Sequence, residues 1–60
     1  MGMEMSEPEA MSILKLYGTE ITRGGLIVLP SDGFSGMPKI LCEAIIYLCN
    51  EWDYDTVLSS

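Results

Sequence analysis

Histidine is absent from this chain of 60 residues, and only two cysteines are present. Without histidine the chain lacks the usual acid–base catalyst of neutral pH and the commonest metal ligand. Serine or cysteine nucleophiles that rely on a histidine base are excluded within one subunit. Two cysteines cannot supply the four thiolates of a structural zinc site. We therefore expect a protein that is not an enzyme and that holds no cofactor and no metal.

Positive charge is equally scarce: three basic residues stand against nine acidic ones, giving a formal net charge of −6. Binding to nucleic acid requires a basic patch that neutralises phosphates, and attachment to anionic membranes requires similar charge. We expect neither kind of partner. No apolar run approaches the roughly 18 residues of a membrane-spanning helix, and no secretion signal opens the chain. The expected location is the cytoplasm, where both cysteines would stay reduced.

The short chain allows one small domain. We assign residues 1–5 to a disordered leader and residues 6–60 to that domain. A domain of this size buries only about 60% of its unfolded surface. It usually needs a disulfide, a metal or a partner chain to be stable.

The segment 6–17 is compatible with two structures. Residues 6–9, Ser-Glu-Pro-Glu, form a helix-start pattern with an N-cap serine and a first-turn proline. Leu14 and Leu16 alternate with a polar residue, as in a strand. We favour a short turn followed by a strand, and keep the helix as the alternative.

The clearest strand signal is a β-hairpin around Gly24 and Gly25, which can adopt the positive φ of a tight turn. Threonine and isoleucine precede the glycines, and both favour strands. The continuous apolar run 26–29 follows. Its continuity predicts that both faces of this strand are covered.

Residues 22–30, Thr-Arg-Gly-Gly-Leu-Ile-Val-Leu-Pro, are similar to the strand–glycine–apolar–proline segment of swapped-hairpin transcription regulators. The resemblance implies dimerisation by exchange of hairpins. The basic residues that such regulators use on DNA are missing here. This function is therefore an alternative that the acidic charge disfavours.

A long helix is predicted from about Met37 to Asn50 or Asp53, with Ser35 as its cap and Pro38 in its first turn. Most of its circumference is apolar, which is more than one core can cover. A two-stranded hairpin would leave one apolar face free, and such a face usually marks an interface. We expect a homodimer, or a higher oligomer, through this helix. The predicted interface residues are Leu41, Cys42, Ile45, Leu48, Cys49 and Trp52.

Cys42 and Cys49 are seven residues apart, which in a helix separates their Cα atoms by about 10.5 Å. A disulfide requires about 4.4–6.8 Å, so these cysteines cannot pair with each other while the helix exists. With zinc excluded as well, a partner chain is the expected source of extra stability.

An acidic cluster with aromatic residues follows the helix. It is either a solvated helix end or a surface for a basic partner protein. The residues of this possible partner-binding surface are Glu51, Asp53, Tyr54 and Asp55.

Together these patterns predict a small α+β fold: a β-hairpin, or three short strands, followed by one long C-terminal helix. The expected function is a non-enzymatic, acidic protein–protein interaction module, a regulator or inhibitor that acts as a homodimer. The main alternative is a purely structural subunit of a larger complex.

Overall fold

The computed structural model describes residues 5–59, which form two helices and three strands. The order along the chain is α1 (Glu7–Leu16), β1 (Glu20–Ile21), β2 (Leu26–Leu29), α2 (Lys39–Glu51) and β3 (Asp55–Leu58). The domain is α+β, but the predicted order of a hairpin followed by one long C-terminal helix is wrong. A helix precedes the hairpin, and a strand rather than a helix is the last element. Residues 1–4 of the predicted leader lie outside the described residues.

α1 replaces the turn and strand that we favoured for this segment. Its cap explains why: Ser6 is the N-cap, and its hydroxyl accepts a hydrogen bond from the Glu9 amide at 3.4 Å. Pro8 suits the first turn because its missing N–H would have no partner there, and Glu7 and Glu9 place negative charge near the positive end of the helix dipole. Ala10 and Leu14 lie one turn apart and are fully buried, whereas Leu16 is 79% exposed. The segment therefore buries residues at the helical spacing of Ala10 and Leu14, and not at the strand-like spacing of Leu14 and Leu16.

The hairpin forms where the glycines predict it. β1 pairs antiparallel with β2, with Glu20 opposite Val28 and Ile21 opposite Ile27. Gly25 adopts φ +80°, which an L side chain rarely tolerates. β1 has only two residues, so most of the sheet depends on the pairing of β2 with β3.

α2 begins at Lys39 and ends at Glu51, within the predicted range. Ser35 is not its cap: consecutive turns occupy residues 31–36, and Pro38 is the N-cap without a side-chain hydrogen bond. At the other end, the amides of Trp52 and Tyr54 both donate to the Leu48 carbonyl. The chain reverses there because Asp53 adopts the left-handed conformation.

β3 was not predicted, and it completes a sheet with the order β1-β2-β3. It runs parallel to β2, and its residues pair in register from Leu26 with Asp55 to Leu29 with Leu58. α2 is the crossover that parallel neighbouring strands require.

One hydrophobic core lies between the helices and one face of the sheet. Both helices and the inward residues Ile27 and Leu29 contribute to it. Residues 26 and 28 point to the opposite face, because successive strand residues alternate. The expectation that both faces of this strand are covered is therefore wrong. The buried core residues are Ala10, Leu14, Ile27, Leu29, Leu41, Ala44, Ile45 and Leu48. Neither helix within residues 5–59 has the length and apolar character needed to cross a bilayer.

Candidate functional site

The predicted interface residues of α2 do not share one environment. Leu41, Ile45 and Leu48 are at most 5% exposed and belong to the chain's own core. α1 packs against α2 and supplies the cover that a hairpin alone could not provide. In this fold these three side chains are not accessible to a partner.

Cys42 and Cys49 lie on a flank of α2 and are half-buried free thiols. Burial raises the pKa of the Cys49 thiol, and the nearby Asp55 carboxylate raises it further. A raised thiol pKa disfavours the reactive thiolate at neutral pH.

The aromatic residues around the helix end are held by hydrogen bonds. The Trp52 indole N–H donates to the Tyr47 hydroxyl at 3.0 Å, and the Trp52 side chain is 48% exposed. The Tyr54 hydroxyl donates to Glu7 Oε2 at 3.1 Å and lies 3.7 Å from Met11 Sδ. Tyr54 therefore connects the beginning of α1 to the beginning of β3.

The acidic residues of the predicted partner surface occupy different structural positions. Glu51 is the last residue of α2, Asp53 forms the reversal, and Asp55 opens β3. All three are exposed. Within residues 5–59, no three cysteine, aspartate or glutamate side chains come together in a way that could hold a metal ion.

A surface that the sequence did not indicate is the outer face of the sheet. We use the name open face for Leu26, Val28 and Val57, whose side chains point away from the helices. Leu26 and Val57 are 37% and 42% exposed, and Val28 is half-buried between its neighbours.

Carboxylates border the open face on two sides. Glu20 lies opposite Val28 on β1, and Asp55 lies opposite Leu26 on β3. Residues directly opposite each other on neighbouring strands point to the same face, so both carboxylates flank the aliphatic side chains. The open face is thus a small apolar strip with negative charge at two corners.

Two surface grooves lie near the sheet. One, of about 310 Å³, lies between α1 and β1 and includes Met11, Lys15 and Ile21. The other, of about 510 Å³, lies at the end of the sheet and includes Tyr17, Val28 and Met37. Neither groove is lined by a cysteine.

The open face was missed because the continuous run 26–29 predicted a strand covered on both faces, and because β3 was not predicted. Thr56, Val57 and Leu58 form a β-branched and apolar triplet, which was the available signal for a strand. Comparison with protein-family models, curated proteins and solved structures gives no match to this chain.

Proposed function

We propose that this protein is a non-enzymatic interaction module that binds a basic partner protein on its open face. The observation that carries the proposal is the position of both helices on one side of the sheet. That arrangement leaves Leu26, Val28 and Val57 without a covering layer among residues 5–59. Exposed aliphatic side chains on one sheet face are typical of contact surfaces.

The negative charge of this chain indicates that the partner is basic. The chain carries a net charge of −6, and the carboxylates of Glu20 and Asp55 flank the open face. A partner segment with aliphatic side chains between lysine or arginine residues would match both the apolar strip and its acidic corners. Attraction by the net charge would also speed association. Regulation or inhibition of such a partner in the cytoplasm remains the predicted role, and an assembly subunit is the alternative.

A model ligand tests the open face directly. The probes are two short peptides, one alternating valine with lysine and the other alternating valine with glutamate. We expect the cationic peptide to shift the amide resonances of Leu26, Val28 and Val57. High salt should weaken its binding, because screening reduces the attraction. The anionic peptide should bind at least about tenfold more weakly, which corresponds to about 1.4 kcal/mol.

Matched variants distinguish peptide binding at the open face from nonspecific binding to other exposed apolar side chains. Leu26→Lys places a positive charge on the open face, whereas Leu16→Lys changes a leucine that is 79% exposed elsewhere. Only Leu26→Lys should abolish binding of the cationic peptide, with the circular dichroism of both variants unchanged. Equal binding of both peptides, or shifts confined to other surfaces, would refute the proposed function.

A further inference from the structure

The outer edge of β3 has no neighbouring strand among residues 5–59. The Asp55 amide donates to the Gly25 carbonyl in the turn before β2 at 3.0 Å, and the Ser59 amide donates to the Leu29 carbonyl of β2 at 2.8 Å. Backbone groups of successive strand residues alternate between the two sides. Thr56 and Leu58 therefore direct their amides and carbonyls away from β2, towards the free edge.

This edge is protected only by its short length and by one charge, that of Asp55. The sequence of β3, Asp-Thr-Val-Leu, contains no lysine and no proline, which are other common protections of edge strands. One local contact does occupy part of it: the Asp55 side chain accepts a hydrogen bond from the Thr56 amide at 2.9 Å. Val57 and Leu58 are 42% and 57% exposed.

An apolar stripe of α2 lies on the same side of the molecule. Cys42, Ile46 and Cys49 are spaced i, i+4, i+7 and share one side of the helix. α2 connects the parallel neighbours β2 and β3, and its buried residues, Leu41, Ala44, Ile45 and Leu48, face the core. In the right-handed crossover that such units adopt, the side of the helix that carries Cys42, Ile46 and Cys49 is turned towards the β3 edge. Ile46 is 51% exposed. We call Cys42, Ile46 and Cys49 the β3-side flank.

We propose that a second copy of this chain occupies this edge, with the two β3 strands paired antiparallel and the two β3-side flanks packed together. The result is a six-stranded sheet across a two-fold axis, with all four helices on one side. The two open faces then form one continuous surface on the other side. The dimer does not depend on the proposed binding of a basic partner.

The hydrogen-bonding groups select one register. With Val57 opposite its own copy, Thr56 of each chain exchanges two hydrogen bonds with the other chain's Leu58, giving four in all. The partner carbonyl then replaces the Asp55 carboxylate on the Thr56 amide. A register centred on Thr56 would place Leu58 opposite Tyr54, whose amide already donates to the Leu48 carbonyl. That register would form fewer bonds.

Charge permits this register. Asp55 lies opposite Ser59 of the other copy, so the two Asp55 residues are at opposite ends of the paired strands. Four residues of extended strand separate them by about 13 Å. That distance exceeds the Debye length of about 8 Å at physiological salt, so their repulsion is weak.

The area required by a dimer explains why the β3-side flank must take part. A specific interface usually buries at least about 500 Å² on each chain, which is about an eighth of the 4247 Å² surface here. A strand of four residues is too short to supply that area alone. The half-exposed side chains of α2 beside it add a second contact layer.

Two isoleucines on α2 provide a matched pair for the test. Ile46 belongs to the β3-side flank, whereas Ile40 lies about 200° away from Cys42 around the helix and is 47% exposed. Sedimentation equilibrium of the full chain should show a dimer that Ile46→Glu weakens at least about tenfold. Ile40→Glu should change the dissociation constant by less than about twofold. Added salt should strengthen the dimer, because it screens the charge of −6 on each copy.

A second variant covers the case in which Ile46→Glu fails to fold. Leu58→Pro removes the outward amide, and proline is tolerated on an edge strand where its nitrogen faces solvent. It should abolish the dimer while the circular dichroism of the monomer persists. A wild-type chain that is monomeric at high micromolar concentration, or equal effects of Ile46→Glu and Ile40→Glu, would overturn the proposal. Because salt acts oppositely on dimerisation and on binding of the cationic peptide, the two proposals can fail separately.

Discussion

At the residue scale, Tyr54 shows how one side chain connects distant parts of a short chain. Its hydroxyl donates to Glu7 at the start of α1, 47 positions earlier in the sequence. Burial raises the pKa of Tyr54, and the hydrogen bond to Glu7 and its negative charge raise it further. All three causes favour the neutral phenol in the folded chain.

The first residue-scale prediction concerns this pKa. Glu7→Gln removes the negative charge and should lower the pKa of Tyr54, as measured by tyrosinate absorbance relative to Tyr54→Phe. Glu9→Gln, on an exposed neighbour, should leave the titration unchanged. The folded pKa lies above the unfolded value of about 10, so this contribution to stability is present below pH 10. It is lost as the pH rises through the folded pKa. An unchanged titration in Glu7→Gln would show that Glu7 is not the partner.

The second residue-scale prediction concerns the reversal after α2. Asp53 has φ +60° and places a negative charge near the negative end of the helix dipole. Asp53→Asn keeps a residue that tolerates this conformation and removes the charge, so it should stabilise the fold by about 0.5 kcal/mol. Asp53→Ala should destabilise it, because alanine is unfavourable at positive φ. Urea denaturation measures both, and equal effects of the two substitutions would contradict this interpretation.

At the element scale, the capping of α1 decides which structure the segment 6–17 adopts. Ser6→Ala should lower the free energy of unfolding by about 1 kcal/mol, because the Glu9 amide loses its side-chain acceptor. Ser12→Ala changes an exposed serine inside α1 and should instead stabilise slightly, since alanine is the better helix former. Chemical denaturation of both variants provides the comparison. Similar losses in both would show that the cap is unimportant.

Elements marked by strong local chemistry could be predicted from the sequence. α2 has a long uninterrupted apolar pattern, and the hairpin has two adjacent glycines. α1 also has a local signal, the Ser6 cap and first-turn proline, but the alternation of Leu14 and Leu16 was given more weight. β3 could not be assigned, because it depends on a distant partner. α1 is helical through its cap and its packing on α2, and β3 is a strand because the carbonyls of β2 accept its amides.

At the scale of the whole molecule, the short length predicts that burial beyond the chain's own core is needed. The predicted answer placed it on α2, at Leu41, Ile45 and Leu48, which α1 and the sheet cover instead. The surfaces left over are the open face and the β3 edge with its flank. They could not be located from the sequence, because their geometry depends on the parallel pairing of β2 with β3.

Amide hydrogen exchange of Leu58, measured over a range of protein concentrations, tests the central claim most directly. In the dimer the Leu58 amide donates to the other chain, whereas in the monomer it faces solvent. The exchange of Leu58 should therefore slow as the concentration rises, while the Val57 amide, directed towards β2, stays protected throughout. If the Leu58 amide exchanges as fast as an exposed loop amide at every concentration, the β3 edge is not the dimer interface.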